Sequence, residues 1–267
     1  MFKSSKKKLI ISGCSYTANY VKTVKLEQFP LWGEILADKL NMELINVSQC
    51  GFGNKAIYHT LVETMIETKD VGLVISMWSE FQRVCLFVDE SKNKNLNQQP
   101  WTSFHPQRTV LDTERDDKFF KLPQVNPKKK SMKYELSKVI TNKSLDSLRG
   151  VTEQSLGYMF AFQNICENLG IPYLQIQGCA PAVVEDAGRG GAGPAWDRNK
   201  KLAEQIIASP YVNKINNRFV GWPISEIIGG YCFDTLLTKH NYRISSQDNH
   251  PNEAGHNLIS KVLYNEL

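Results

Sequence analysis

The stretch Leu9-Ile10-Ile11-Ser12-Gly13-Cys14-Ser15-Tyr16-Thr17 decides how the rest of the chain is read. A short apolar run that breaks into Ser-Gly reads as a buried strand meeting a turn. Working outward, Leu31–Leu40 has apolar residues at 32, 35, 36 and 40, which is helical spacing. Glu43–Val47 reads as a second strand, closed by the glycine-containing turn Gln49-Cys50-Gly51-Phe52-Gly53-Asn54. Ala56–Thr68 reads as a helix on its apolar positions 57, 61, 62, 65 and 66, and Gly72–Met77 as a third strand. The same alternation returns late in the chain. Ser155–Leu169 predicts a helix stopped by Gly170, Ile171–Gln177 a fourth strand, and Asn252–Leu267 a closing helix with apolar positions 258, 259, 262 and 263.

Short apolar runs that alternate with helical segments predict an α/β fold whose parallel sheet is covered on both faces. We read residues 1–267 as a single domain. Within it, 89–150 breaks the pattern. It is rich in Asn, Lys, Gln, Asp and Pro, and helical spacing shows only near Tyr134–Ile140. This is expected to be an insertion after the third strand, a lid or a partner-binding arm, because structureless connections of such length are functional or disordered. Gly188–Pro194 is expected to be a second flexible segment, and no internal repeat is found.

Composition narrows the function classes. The chain has 42% apolar and 22% charged residues, ordinary for a globular protein. Its net charge of +5 is concentrated in Lys6-Lys7-Lys8 and in Lys128-Lys129-Lys130 with Lys133. Such runs could contact nucleic acid, but no helix carries a basic stripe and no nucleic-acid motif is present, so solvated segments are the favoured reading. The six cysteines show neither CxxC spacing nor a nearby His at metal-ligand spacing, which predicts reduced, mostly buried thiols and no metal site. The apolar run after Met1–Lys8 is too short for a secretory signal, and no stretch approaches a membrane span. Synthesis in the cytoplasm without membrane insertion is the expectation.

In a doubly wound sheet, ligands bind at the carboxyl ends of the strands near the point where strand order reverses. Three polar turns fall at such ends: Gly13–Thr17, Gly51–Asn54 and Trp78-Ser79-Glu80. Each residue also has a plainer role. Ser15 could cap a helix. Gly51 and Gly53 could be turn glycines, and Asn54 could cap the helix that follows. Arg83 could be a solvated charge or could face an anionic group in the cleft. Trp78 and Trp222 read as core or cleft-wall aromatics, and His256 as a packed residue of the last helix.

Taken in order, these turns resemble the conserved blocks of the SGNH/GDSL hydrolases. Gly13-Cys14-Ser15-Tyr16-Thr17 resembles the G-D-S nucleophile block, with Cys14 where Asp is usual. Asn46–Asn54 resembles the second block, whose glycine gives an oxyanion amide, and Asp248-Asn249-His250-Pro251-Asn252 resembles the last block, which completes a triad. There are two departures. Ser79 stands where the third block has its oxyanion Asn, and only Asn249 separates Asp248 from His250 where two residues are common. Trp and Ser after the third strand, together with Asp-x-His-Pro-Asn, look like SGNH-like proteins of bacteriophages, which adds virion association as an alternative location.

The resemblance implies a three-layer, doubly wound, flavodoxin-like sandwich on a mostly parallel five-stranded sheet. It implies a carboxylic-ester hydrolase with Ser15 as nucleophile, His250 as acid–base and Asp248 orienting it. Gly51, Asn54, Ser79 and Arg83 would then be oxyanion or substrate contacts, and no cofactor is needed. The implied substrate is a small ester or an acylated carbohydrate. The alternative is an inactive structural or glycan-binding module on the same fold.

Overall fold

The computed structural model describes residues 6–88, 100–114, 132–182 and 193–267. Much of the expected insertion, the basic run Lys128–Lys130 and most of the expected flexible segment at 188–194 lie outside the described residues. In chain order the elements are β1 (Lys8–Ser12), α1 (Tyr20–Thr23), α2 (Trp32–Lys39), β2 (Glu43–Asn46), α3 (Asn54–Glu67) and β3 (Val71–Trp78). Then follow β4 (Val84–Phe87), β5 (Trp101–Phe104), α4 (Pro106–Glu114), α5 (Met132–Asn142) and α6 (Leu148–Leu169). The last are β6 (Tyr173–Gln177), α7 (Gly193–Ala208), β7 (Phe219–Val220), α8 (Phe233–Lys239) and α9 (Glu253–Asn265).

The main sheet has five strands in the order β2-β1-β3-β6-β7, and every pairing in it is parallel. From β1 the chain goes to one neighbour, β2, then crosses back to the other, β3. The switch point therefore lies at the carboxyl ends of β1 and β3, as the sequence reading required. The pleat sorts the core into two layers. Ile10 and Val74 pack with Ile57, Leu61, Met159, Phe162 and Ile206, from α3, α6 and α7. Leu9, Ile11, Ile75 and Ile176 pack on the opposite face with Trp32, Leu36, Phe233, Leu237 and Ile259, from α2, α8 and α9. This is the expected three-layer α/β sandwich.

The start of α6 and the last strand of the sheet differ most from the sequence reading. Helix α6 begins at Leu148 because the Ser147 side chain accepts from Gly150 N, and it ends at Gly170, whose φ of 64° is left-handed. The fifth strand, β7, is two residues long and too short to show a period. Within the expected insertion the described residues include one strand of an antiparallel hairpin, β4–β5, and helices α4 and α5. Among the described residues no helix is long and apolar enough to cross a membrane.

Candidate active site

The turn after β1 is tight because Gly13 has no side chain. A Cβ there would lie 2.2 Å from Thr17 Oγ1. That hydroxyl is buried and donates to Met77 Sδ at 3.2 Å. The amides of Thr17 and Ala18 both donate to Cys14 O, at 3.0 and 2.9 Å. The turn thus sends the Cys14 side chain into the core and leaves Ser15 part-exposed. Ser15 is not a helix cap, since α1 starts later and is capped by Asn19.

Ser15 Oγ lies 2.8 Å from His250 Nε2. His250 Nδ1 lies 2.6 Å from Asp248 Oδ1, and the same oxygen accepts the His250 backbone N–H at 3.0 Å. The His250 loop is held by an antiparallel bridge between Arg243 and Pro251 and by Ile244 N donating to His250 O at 2.9 Å. Partial burial pushes the Asp248 carboxyl up. Hydrogen bonds from the His250 backbone and ring and from Tyr20 outweigh this and hold it below its usual value. The carboxylate therefore stays ionised in neutral solution.

Four side chains that the sequence did not single out complete the surroundings. The Tyr20 hydroxyl donates to Asp248 Oδ2 at 2.9 Å, and its ring stacks on the His250 imidazole with centroids 3.5 Å apart and planes 15° from parallel. The Tyr16 ring meets His250 edge-on at 5.7 Å, and its hydroxyl donates to Asp234 Oδ1 at 2.7 Å. Arg243 donates to Tyr16 Oη at 2.7 Å, to Asp234 Oδ1 at 2.8 Å and to the Asn249 carbonyl. Both tyrosines sit within five positions of Ser15, which was the available signal; Asp234 and Arg243 carry none.

The remaining candidates surround the second and third turns. Gly51 has a φ of +89°, so the turn after β2 needs glycine there. Asn54 is the first residue of α3, and Gly53 takes the cap position. The Asn54 side chain reaches across the layer instead: Oδ1 accepts from Ser79 N at 2.7 Å and Nδ2 donates to Ser155 Oγ at 3.1 Å. Ser79 is fully buried, and its hydroxyl has no hydrogen-bond partner among the described residues. Arg83 donates to Phe52 O at 3.1 Å and pairs with Glu80, so it ties the Gly51–Phe52 turn to the exit of β3. Cys14 Sγ lies 3.3 Å from Cys179 Sγ, both buried. The Cys179 thiol, helped by the nearby Arg83 charge, holds Cys14 below the usual thiol range, and the same contact pushes Cys179 up.

His256 is packed, as read from the sequence. Its Nδ1 accepts from Trp32 N at 3.2 Å, and burial, with a smaller contribution from His250, lowers its pKa to about 4. Trp78 is a core residue whose Nε1 donates to Gln175 Oε1 at 3.0 Å. Among the described residues no group of three His, Cys, Asp or Glu could hold a metal ion.

No family model matches the sequence, and no curated protein does. Several solved structures are similar over nearly their whole length. A protein described as lipolytic and of the G-D-S-L family from Desulfitobacterium hafniense has 13% identity and a TM-score of 0.47, with 98% of this chain and 99% of that chain covered. The psychrotrophic esterase EstA from Pseudoalteromonas sp. has 12% identity and a TM-score of 0.48, with 97% and 96% covered. The acetyl xylan esterase AlAXEase has 12% identity and a TM-score of 0.43, with 97% and 99% covered. The main-sheet order β2-β1-β3-β6-β7 is that of the flavodoxin-like doubly wound folds.

Proposed function

We propose that the protein is a serine hydrolase that cleaves a small carboxylic ester or removes an acyl group from a glycan. The observation that carries this reading is the continuous chain from Ser15 Oγ through His250 to Asp248, with contacts of 2.8 and 2.6 Å. Three such groups in hydrogen-bond sequence at a strand's carboxyl end are the components of acyl transfer.

In this mechanism Ser15 Oγ attacks the ester carbonyl while His250 Nε2 takes its proton. Asp248 orients the imidazole and stabilises its charged form. The negative charge that develops on the carbonyl oxygen is held by the backbone amides of Ser15 and Gly51; the Asn54 amide, bonded to Ser155 Oγ, and the fully buried Ser79 hydroxyl would have to be released before either could act as a third donor. As the tetrahedral intermediate collapses, the bond to the leaving oxygen breaks and His250 returns the proton to it. Water, deprotonated by His250, then attacks the acyl-Ser15; the bond to Oγ breaks, His250 returns the proton to Oγ, and the carboxylic acid leaves. The chemistry calls for no cofactor.

The test is exposure of the folded protein to a fluorophosphonate probe, read by intact mass, with Ser15→Ala and His250→Ala as controls. A single adduct on the native protein that both substitutions abolish supports the hydrolase, and acetyl esters then come first in a substrate screen. No adduct on a folded protein overturns it in favour of a binding or structural module. The sealed Ser79 hydroxyl is the observation that keeps that second reading open.

A further inference from the structure

The acid–base pair sits on an irregular loop. Asp248 and His250 side chains keep about a quarter of their surface exposed, at 23% and 24%. Asp248 commits Oδ1 to its own turn, where it takes both the backbone N–H and the ring Nδ1 of His250. That local ring fixes the two residues relative to each other. It does not by itself fix the pair relative to Ser15, which lies on a different loop, after β1. The Arg243–Pro251 bridge and the Tyr16 and Arg243 bonds to Asn249 O hold the loop's backbone, but none of them bonds to Asp248 Oδ2 or to the imidazole.

Tyr20 holds both from the serine's own side. It begins α1, five positions after Ser15 in the same excursion from β1. Its hydroxyl occupies Oδ2, the carboxylate oxygen that the turn leaves over. Its ring lies flat on the imidazole. One side chain therefore grips both members of the pair, and it is rooted in the nucleophile's turn.

We propose that Tyr20 is a positioning residue for hydrolysis at Ser15: it holds Nε2 aimed at Oγ and supports the imidazolium that forms when the proton moves. The proposal rests on the hydrolase reading. A ring face over a cation stabilises the charged form, and a hydroxyl donated to Asp248 keeps the carboxylate fixed and ionised beneath it. The Tyr20 hydroxyl stays a donor throughout the assay range, because partial burial and the Asp248 carboxylate push its pKa up to about 12.

Two variants separate the two grips. Tyr20→Phe keeps the ring and removes the hydroxyl; Tyr20→Leu removes both. Hydrolysis of p-nitrophenyl acetate and the rate of fluorophosphonate labelling are measured from pH 5 to 9 on wild type, Ser15→Ala and both variants, with thermal melting as the control for folding. The expected result is a fall in kcat of about 5-fold for Tyr20→Phe and of about 50-fold for Tyr20→Leu, with KM little changed. The acid limb of the rate profile should move to lower pH in Tyr20→Leu, a shift that a merely structural role would not produce. If Tyr20→Leu does not fold, Tyr20→Phe decides. A wild type that labels at Ser15 while the folded variants match it in rate and pH profile overturns the role of Tyr20 alone. A folded wild type that neither labels nor turns over ester overturns the hydrolase reading, and the proposal with it.

Discussion

Replacement of Asn54 separates two roles that its position combines. The side chain is buried and bonded at both ends, to Ser79 N at 2.7 Å and to Ser155 Oγ at 3.1 Å. Asn54→Ala leaves the Ser79 amide unpaired in a fully buried segment. An unsatisfied buried donor costs about 1–3 kcal/mol, and the lost bond to Ser155 adds about 1 kcal/mol. The sum, about 2–4 kcal/mol, corresponds to a fall in Tm of about 5–15 °C for a chain of this size. Asn54→Asp loses stability by another route. Its carboxylate still accepts from Ser79 N, can accept from the Ser155 hydroxyl, and sits in the first turn of α3, where negative charge is favourable. The substitution also buries a carboxylate, so its Tm should fall by at least as much as that of Asn54→Ala. It has also lost the amide donor, which is spent on Ser155 Oγ in this structure; if that amide turns to the oxyanion during the reaction, turnover should fall about 100- to 1000-fold. Calorimetry and ester hydrolysis on both variants check this. An unchanged Tm in Asn54→Ala refutes the clamp, and full turnover in a folded Asn54→Asp removes Asn54 from the oxyanion site.

The companion test is Ser79→Ala. Its hydroxyl has no partner among the described residues and no exposed surface, so its removal should leave Tm within about 2 °C and turnover within about 3-fold. A loss of more than about 30-fold in the ester assay would instead assign the oxyanion contact to Ser79. His256 should make stability depend on pH. Burial lowers its pKa from 6.5 to about 4, so the folded protein keeps it neutral while the unfolded chain protonates it. The stabilisation from this group is complete above pH 6.5 and is lost as pH falls towards 4. Each pH unit between those two values is worth about 1.4 kcal/mol, so the loss is about 3 kcal/mol. Denaturant titrations at pH 7 and pH 4 on wild type and His256→Asn should show that part of the slope only in wild type, since Asn can still accept from Trp32 N. Equal slopes would refute it.

The parts legible in the sequence were those that a backbone period or a turn residue specifies. Leu9–Ile11 and Gly72–Met77 became β1 and β3 because buried parallel strands are continuous apolar runs. Gly170 ended α6 where a left-handed residue is needed. Once β1 and β3 are neighbours, the turns after them must share one end of the sheet, which is why Ser15 and Ser79 could be grouped before any distance was known. Phe219–Val220 escaped because two residues carry no period. Asn54 was read as a cap or a substrate contact, and the structure gives its side chain to a span between the exit of β3 and α6 that no local rule encodes.

The same distinction explains the site. Ser15, Asp248 and His250 could be picked out because each stands in a short block with recognisable neighbours. The groups that surround them act through pairings very distant in the chain: Tyr20 meets Asp248 across 228 positions and Tyr16 meets Asp234 across 218. Nothing near Asp234 or Arg243 marks either as part of a site. Cys14 shows how such context changes the meaning of a motif position. The tight turn points its side chain inward, to a fully buried place against Cys179. A carboxylate there would need a charged partner or would be driven to its neutral form, whereas a thiol fits a small, weakly polar space. The turn thus sends Ser15 outward and Cys14 into the core. On the hydrolase reading, chemistry makes its demand on the outward side of this turn and packing on the inward side.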